Sequence, residues 1–146
     1  MAESNPSTPS LETALERYVY FFNHLERELE HIAQYQSADV EFWDPFNHVF
    51  GIQASSDLLR KFIDNVEHPH FEVTGQFWNQ SCCLLRWQFS GILRVVGDWR
   101  FPGVSELEFN GEGKVIRHID YWDSGEHFYA RLPILWGLIR TIRRRV

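Results

Sequence analysis

The sequence contains few of the residues that mark disulfide-rich or metal-binding proteins. Its 146 residues include two cysteines, the neighbours Cys82 and Cys83. Adjacent residues of a strand point to opposite faces, so we expect these thiols neither to pair nor to share a metal. Two unpaired thiols in a chain without an export signal favour a cytoplasmic location.

Several signals of targeting and of cofactor binding are also missing. The N-terminal stretch "MAESNPSTPS" is polar and lacks the charged and then apolar pattern of a signal peptide. No run of apolar residues is long enough to cross a bilayer. There is no glycine-rich phosphate loop, and "HPH" at 68–70, which we expect to be a loop, is a poor pair of metal ligands. We therefore expect no cofactor and no metal.

Charge is unevenly distributed along the chain. The net charge is −6, and all twenty acidic residues precede position 131. An acidic body is a poor nucleic-acid binder, so we expect no nucleic-acid partner. The end "LIRTIRRRV" has two interpretations. Its arginines could complement a helix dipole, or the helix could contact an anionic membrane or a partner weakly through its apolar side chains. Those side chains are Leu132, Ile134, Leu135, Trp136, Leu138, Ile139 and Ile142.

Aromatic residues are abundant. They make up 16% of the chain, with six Trp and twelve Phe, and hydrophobic residues as a whole make up 44%. A chain of this length fits one domain with a substantial core. So many rings could fill that core or line a cavity.

Helical patterns come first along the chain. Residues 1–9 are typical of a flexible lead-in, and we expect residues 10–146 to form a single domain. Apolar residues recur at helical spacing from Leu11 to Leu29, which predicts one long helix or two short helices broken near Asn23. The stretch "VEFWDP" predicts a short strand, and "ASSDLLRKFIDNV" predicts a helix capped by Ser55 or Ser56.

Strand patterns dominate after residue 70. Five runs are separated by Gly, Asn or Pro: "FEVTGQFWN", "CCLLRWQFSG", "LRVVGDWRF", "VSELEFN" and "KVIRHIDYWD". The tail is again helix-like, with a break at Pro133. Helices followed by an antiparallel meander and a terminal helix indicate an α+β fold with helices packed on one face of a curved sheet.

The last strand raises a question that the pattern alone does not answer. In "VIRHIDYWD" one face carries Ile116, His118, Asp120 and Trp122, and the other carries Val115, Arg117, Ile119 and Tyr121. Each face mixes apolar and ionisable groups. The Cβ atoms of His118 and Asp120 would be roughly 7 Å apart, so a bridging water or a leaning ring would be needed to join them.

Three stretches together resemble a known group. The stretches "ERYVYFFN", "FWDPF" and "FNGEGKVIRHIDYW" are similar to the ketosteroid isomerase and SnoaL-like group of the nuclear transport factor 2-like superfamily. The resemblance implies a cone-shaped α+β barrel, in which N-terminal helices close a strongly curved antiparallel sheet around a pocket. It also implies a homodimer formed through the outer face of the sheet.

The resemblance assigns roles to particular residues. It implies that Asp44 is the general base and that Tyr18 donates a hydrogen bond to an oxyanion. Ser105 stands where the group has a protonated acid, and this weaker donor argues against ketosteroid isomerisation itself. It also implies that His118 and Asp120 face the pocket, where they could act as a second acid–base or water-holding unit.

The resemblance implies an aromatic wall as well. Trp122 would share the inward face of the last strand, and Trp87, Phe89 and Trp99 would line the pocket from neighbouring strands. These residues would bind an apolar, cyclic, carbonyl- or hydroxyl-bearing small molecule for isomerase, dehydratase, cyclase or hydrolase chemistry. Two alternatives stay open: a non-catalytic binding module that uses the same cavity, and an accessory protein whose cavity is filled by its own rings.

Plainer interpretations of the same residues stay open. Asp44 could cap a turn, as Asp before Pro often does. Tyr18 lies on the apolar stripe of the first helix and could be a core residue with a satisfied hydroxyl. His118 could equally be a hydrogen-bonded core histidine.

Overall fold

The computed structural model describes residues 8–145. The first seven residues of the predicted lead-in lie outside the described residues. The helices are α1 (Leu11–Asn23), α2 (Leu25–Glu28), α3 (Ile52–Asn65), α4 (Ser124–His127) and α5 (Pro133–Arg143), with 3-10 turns at Leu29–Gln34 and Tyr129–Arg131. The strands are β1 (Gln36–Trp43), β2 (His48–Phe50), β3 (Val66–Asn79), β4 (Cys82–Leu93), β5 (Gly97–Phe109) and β6 (Val115–Tyr121).

One six-stranded sheet carries the fold, in the order β2-β1-β6-β5-β4-β3. The sheet is curved and open, since β2 and β3 form its two edges. Helices lie against its inner face, and the predicted α+β architecture is confirmed. One detail differs from an antiparallel meander, because β1 pairs with β6 in parallel. Two strands far apart in sequence are thereby joined at the centre of the sheet.

The first helix ends near Asn23, the break that the sequence left as an alternative. Ser10 caps its start by accepting a hydrogen bond from the Thr13 N–H. At the other end the Asn23 amide leaves the helix and pairs with the backbone of Phe71, donating to its carbonyl and accepting from its N–H. His24 then adopts a non-helical backbone conformation. Because the Asn23 side chain is bonded to β3, α1 ends at this residue, and α2 begins at Leu25.

The N-cap of α3 lies four residues before Ser55, the first of the two predicted serine caps. It is Gly51, whose φ of 90° suits glycine. Ser55 is fully buried inside the helix instead, and its hydroxyl donates to the side chain of Gln36. The prediction of Ser55 or Ser56 as the cap was wrong, because the left-handed backbone at Gly51 was not visible as a local pattern.

Two strand boundaries also differ from the sequence pattern. The predicted loop "HPH" is part of β3, where His68 has a φ of 52° and the register shifts between Glu67 and His70. Pro69 is tolerated because β3 is an edge strand. The predicted strands on either side of Pro102 form one strand, β5, and Pro102 lies in the part of β5 that β6 does not pair with.

The buried core follows the periodicities of the sequence. Helix α1 buries Ala14, Leu15, Tyr18 and Phe21, which repeat at helical spacing. Strands β4 and β5 bury every second residue over most of their length. Among the described residues, no helix is both long and apolar enough to cross a membrane. The outer sheet face exposes Phe77, Leu84 and Tyr121, and its use in a homodimer stays a prediction.

A close backbone approach allows an inner wall of rings to form. Gly103 on β5 pairs with Trp87 on β4, and a Cβ atom at Gly103 would lie 2.2 Å from the Trp87 ring. Glycine is therefore required at this position so that the indole can lie across β5.

We predict that Gly103→Ala destabilises the fold by about 1–3 kcal/mol, because the methyl group would push Trp87 out of its packed position. Urea unfolding measures the change. Gly111→Ala is the control, since a Cβ atom there meets open space, and we expect a change within about 0.5 kcal/mol. Equal unfolding midpoints for Gly103→Ala and the wild type would contradict this prediction.

Candidate functional site

A cavity of about 310 Å³ lies between α3 and the inner face of the sheet. This volume is at the lower end of the range of about 300–1,000 Å³ that is typical of small-molecule sites. Most of the lining is aromatic, from Phe22, Phe42, Phe46, Phe62, Phe71, Trp87, Phe89, Trp99, Phe101, Trp122 and Phe128. The ionisable groups in the lining are Asp44, Asp120 and Lys61. The cavity is thus a largely apolar chamber with two carboxyl groups and one lysine.

The cavity lining shows which face of β6 points inward, whereas burial alone does not, because Val115 and Ile119 on the other face are buried as well. The imidazole of His118 is 3% exposed, and Asp120 lines the cavity together with Trp122. Tyr121, on the opposite face, is 53% exposed. The face of β6 that carries His118, Asp120 and Trp122 is therefore the inner face.

His118 and Asp120 are joined directly. The His118 Nε2 atom lies 2.7 Å from Asp120 Oδ1, so the ring leans along the strand and no bridging water is required. The imidazole packs against Phe42, with ring centroids 4.4 Å apart, and against Phe22, at 5.1 Å. This packing holds the ring in a single orientation.

Asp120 receives a second donor from the neighbouring strand. Ser105 lies directly opposite Asp120 in the β5–β6 register, and its hydroxyl donates to Asp120 Oδ1 at 2.5 Å. Trp87, diagonally placed on β4, donates its indole N–H to the Ser105 oxygen at 2.9 Å. Three adjacent strands thus contribute one residue each to a line of hydrogen bonds that ends on Asp120.

A second line of hydrogen bonds reaches Asp120 through His118. Ser55 donates to the side-chain oxygen Oε1 of Gln36 at 2.7 Å, and the side-chain Nε2 of Gln36 donates to the Tyr18 hydroxyl at 3.0 Å. The Tyr18 oxygen lies 2.9 Å from His118 Nδ1. We call the seven residues of both lines the Asp120 network: Ser55, Gln36, Tyr18, His118, Asp120, Ser105 and Trp87.

Donor directions within the network fix the tautomer of His118. The buried Tyr18 O–H needs an acceptor, and His118 Nδ1 is the acceptor within hydrogen-bond distance among the described residues. Nδ1 must then be unprotonated, and Nε2 carries the proton that is donated to Asp120. Burial raises the pKa of the Tyr18 phenol far above its ordinary value, which keeps this donor protonated. All donors in both lines therefore point toward Asp120.

One oxygen of Asp120 belongs to neither line of hydrogen bonds. Both donors bind Oδ1. Within residues 8–145, Oδ2 has no hydrogen-bond partner, and it is not among the buried polar atoms that lack one, so it has accessible surface. Asp120 also borders an open depression on the outside, together with Asp44 and Trp122. Oδ2 is therefore an accessible acceptor on a residue that borders both the cavity and this depression.

Asp44 both caps a turn and lines the cavity. Its Oδ1 accepts hydrogen bonds from the N–H groups of Phe46, at 2.7 Å, and Asn47, at 2.8 Å. Burial raises the pKa of Asp44, although these backbone donors act in the opposite direction and the negative charge of Asp120 adds to the rise. The turn interpretation and the pocket interpretation of this residue thus hold together.

Two predicted donors are placed differently from the expectation. The Tyr18 hydroxyl is engaged by Gln36 and His118, and Tyr18 lines a separate small cavity of about 30 Å³ rather than the large one. Ser105, also on the small cavity, is 5% exposed and uses its oxygen for Trp87 and its proton for Asp120. Both hydroxyls therefore contact Asp120 or its partner His118 within the protein, and their role toward a ligand stays a prediction.

The other predicted lining residues lie on the large cavity. Trp87, Phe89, Trp99 and Trp122 all contribute to its wall. The indole N–H of Trp99 donates to the His127 carbonyl oxygen at 2.8 Å, which ties the cavity wall to α4. Trp122 stacks on Phe101 with ring centroids 4.4 Å apart.

Gln36 and Ser55 were missed by the sequence analysis. Both are fully buried polar residues, on β1 and α3 respectively. A single Gln at the start of a predicted strand is a weak signal of a buried polar network. Its partner Ser55 is 19 residues away and could be found only from the packing of α3 on the sheet. Across residues 8–145, no group of three or more His, Cys, Asp or Glu side chains could hold a metal ion.

Comparison with known proteins gives the chain a family match. A family model described as a SnoaL-like domain matches residues 15–118. No curated protein matches the chain. Solved structures, by contrast, match over most of its length.

Three of these structures illustrate the range. A protein from Shewanella denitrificans, provisionally described as a SnoaL-like polyketide cyclase, has a TM-score of 0.72 and 15% identity, over 84% of this chain and 96% of that one. An LEH-like epoxide hydrolase from M. tuberculosis has a TM-score of 0.69 and 16% identity, over 95% and 99%. A hypothetical protein from Catenulispora acidiphila has a ketosteroid isomerase-like fold and was solved in complex with trimethylamine. It has a TM-score of 0.70 and 17% identity, over 87% of this chain and 96% of that one. At these identities the likeness establishes the fold.

We predict that Tyr18→Phe destabilises the protein by about 1–3 kcal/mol, because it leaves His118 Nδ1 and the Gln36 amide buried without a partner. Urea unfolding measures this loss. Tyr20→Phe is the matched control: its ring is 43% exposed and its hydroxyl accepts from Arg27 at the surface. We expect a change within about 0.5 kcal/mol for the control, and losses of equal size in the two variants would disprove the buried network.

Asp44 gives a prediction about pH. Its pKa is raised in the folded state, so the unfolded chain releases this proton first as the pH rises above about 3.9. The folded state then binds more protons than the unfolded state, and the free energy of unfolding falls with increasing pH. We expect the wild type to lose stability relative to Asp44→Asn over the pH range from about 4 upward, until the carboxyl group is ionised in both the folded and the unfolded state.

Urea unfolding of both proteins across this pH range tests the sign. The amide oxygen introduced by Asp44→Asn can still accept the two backbone hydrogen bonds, so the turn is retained. A wild type that gains stability relative to the variant as the pH rises would show that the backbone donors outweigh burial.

Proposed function

Because the chain belongs to the SnoaL-like domain family, we propose that it is a small-molecule enzyme that uses acid–base chemistry on an apolar cyclic substrate. The reaction would be of isomerase, dehydratase, cyclase or hydrolase type. The observation that carries this proposal is the geometry of Asp120, which lines an aromatic cavity and whose Oδ1 is held by His118 and Ser105 while its Oδ2 has no hydrogen-bond partner within residues 8–145. A proton acceptor fixed in this way suits catalysis by general acid or base.

Asp120 is the proposed proton-transfer residue. Its Oδ2 would take a proton from a carbon acid or from a water molecule that attacks the substrate. The same oxygen, now protonated, would return the proton to the substrate or its leaving group, so that the carboxylate is regenerated at the end of the cycle. Fixing a base in the productive orientation in advance lowers the entropic cost of the transition state.

Tyr18 and His118 are proposed as positioning residues. Both nitrogen atoms of the imidazole are engaged, one by Tyr18 and one by Asp120, so the ring has no free nitrogen for a substrate. The Tyr18 hydroxyl fixes the tautomer that donates to Asp120. These residues would act on the reaction through the orientation of Asp120, and Ser105 would do the same from the adjacent strand.

Asp44 is proposed as the second acid–base group. It lines the same cavity as Asp120, and burial raises its pKa, so it keeps a proton at a higher pH than an ordinary carboxyl group does. A pair of carboxyl groups in different environments can divide the roles of base and acid between them. In a reaction that needs the proton on a side of the substrate that Asp120 does not reach, Asp44 would donate it instead of Asp120. Asp120 would then release the proton that it took to the solvent, and Asp44 would regain one from the solvent, so that both groups return to their starting states.

The aromatic wall supports an apolar cyclic substrate. The rings of Phe89, Trp99, Phe101 and Trp122 face the cavity with little polar surface between them. Such a wall stacks well against flat or cyclic hydrocarbon groups. The names of two similar structures, a polyketide cyclase and an epoxide hydrolase, also fall within the proposed range of reactions.

A non-catalytic binding protein is the second candidate. The observation that favours it is the engagement of Tyr18, His118 and Ser105 by the protein itself, which leaves a cavity with few groups free to react. Such a protein would bind the same class of ligand without converting it.

A panel of cyclic ketones, alcohols and epoxides separates the two candidates. Thermal shift identifies the compounds that bind, and mass spectrometry with chiral chromatography detects products. We expect a binding compound to be converted by the wild type, and we expect Asp120→Asn to lower kcat by about 10²–10⁴-fold with little change in binding. Asp44→Asn should also lower kcat.

The control for these variants is Asp98→Asn, an exposed carboxylate at the start of β5 outside the cavity lining. It should leave both binding and turnover unchanged. Equal kcat values for Asp120→Asn and the wild type would refute the role of Asp120. Binding by several compounds without conversion of any of them would favour the non-catalytic candidate.

A further inference from the structure

The C-terminal helix presents an apolar face that the domain only partly covers. In α5 the side chains of Leu135, Leu138, Ile139 and Ile142 recur at i, i+3, i+4 and i+7, which places them on one side of the helix. Leu135 and Ile139 are half-buried, whereas Leu138 is 59% exposed and Ile142 is 54% exposed. Among the described residues, the element against which α5 packs extensively is the adjacent turn Tyr129–Arg131.

The other side of α5 is basic. Arg140 and Arg144 lie one turn apart, and Arg145 follows. Within residues 8–145, no carboxylate lies within ion-pair distance of these three arginines, while Arg143 pairs with Glu126. Glu126 is also the last acidic residue of the sequence. A protein with a net charge of −6 therefore carries a local positive charge at the end of its chain.

Trp136 lies at the border between the two sides. Its ring is 47% exposed, and the Arg140 guanidinium lies 6.0 Å from the ring centroid. Tryptophan beside arginine, next to exposed leucine and isoleucine, is the composition of helices that lie in a membrane interface. A helix that only complemented its own dipole would need the arginines but not the exposed apolar face.

We propose that α5 docks on the surface of an anionic lipid bilayer, with Leu138 and Ile142 inserted among the acyl chains and Arg140, Arg144 and Arg145 on the headgroups. Charge favours this occupant over a second copy paired through its own α5, because the arginines of two facing α5 helices would repel each other, whereas anionic headgroups attract them. The short helix and the few inserted side chains make the contact reversible and dependent on salt.

The docked helix would follow closely in sequence after a residue that lines the cavity. Phe128 lines the cavity five residues before α5 begins at Pro133. Tyr129, in the turn against which α5 packs, contacts Phe46, another lining residue, with ring centroids 6.0 Å apart. Membrane contact would thus hold a site for apolar compounds near the phase in which such compounds dissolve.

Vesicle co-sedimentation of the full chain tests the proposal. The vesicles contain phosphatidylcholine alone or phosphatidylcholine with phosphatidylserine. We expect the wild type to bind the mixed vesicles, to bind phosphatidylcholine weakly, and to dissociate when salt is raised. Arg140→Gln with Arg144→Gln and Arg145→Gln should weaken binding by roughly a hundredfold, and Leu138→Gln with Ile142→Gln by about tenfold or more.

The matched control removes the same number of charges elsewhere. Arg60, Arg94 and Arg100 are exposed residues of the body, and their joint replacement by Gln should leave binding unchanged. Circular dichroism and thermal unfolding should be the same for all variants, since the altered side chains are exposed. Light scattering gives the oligomeric state of each variant in the same buffer.

Three outcomes would overturn the proposal. One is the absence of binding to the anionic vesicles at low salt. Another is a wild-type dimer that becomes a monomer in Leu138→Gln with Ile142→Gln, which would assign the apolar face to a second copy of the chain. The third is equal weakening by the body control, which would show that binding follows total charge rather than α5.

Discussion

The structure depends on keeping a line of polar groups fully paired inside an aromatic domain. Burying a hydroxyl, an amide or an imidazole without a partner costs several times what a single hydrogen bond contributes, so each member of the Asp120 network requires the next one. The line begins on α3 with Ser55 and crosses β1 at Gln36 and α1 at Tyr18 before it reaches His118 on β6. Helices and sheet are thereby fixed relative to one another by polar contacts as well as by packing.

The orientation of Asp120 is a consequence of this constraint. With every donor of the network directed inward, the carboxylate is the acceptor on which both lines end, and the geometry leaves one oxygen available. Asp44 belongs to the same cavity, but its environment differs, since its donors are the backbone N–H groups of its own turn. The two carboxyl groups on the cavity are thus positioned in different ways. Asp120 is fixed by side chains from other elements, and Asp44 is fixed by the geometry of its own turn.

The apolar surfaces of the protein fall into two classes. Inside the domain the rings are interlocked, and Gly103 leaves the space into which the Trp87 indole packs. At the end of the chain the apolar side chains of α5 stay exposed beside arginines. An interior of this kind can select a ligand by shape, whereas an exposed basic helix responds to charge and salt. The two surfaces can therefore act separately.

The sequence by itself determined the fold class and the inward side of most elements. Burial of alternate residues in β4 and β5, and of every third or fourth residue in α1, follows directly from period and composition. The inward orientation of His118 and Asp120 was implied by the resemblance, because the mixed pattern of β6 did not determine it. The choice between one helix and two near Asn23 was also open, because the side-chain contact that ends α1 involves Phe71, 48 residues away.

Only the tertiary structure decided how the polar residues are paired. Tyr18 meets His118 across 100 residues, and Gln36 meets Ser55 because α3 packs over β1. The parallel pairing of β1 with β6 places Phe42 beside His118, a contact that no local pattern encodes. Periodicity reports which face of an element is buried, since that depends on the element alone. Hydrogen-bond partners depend on the register and distance between elements, and these are set only when the whole domain is packed.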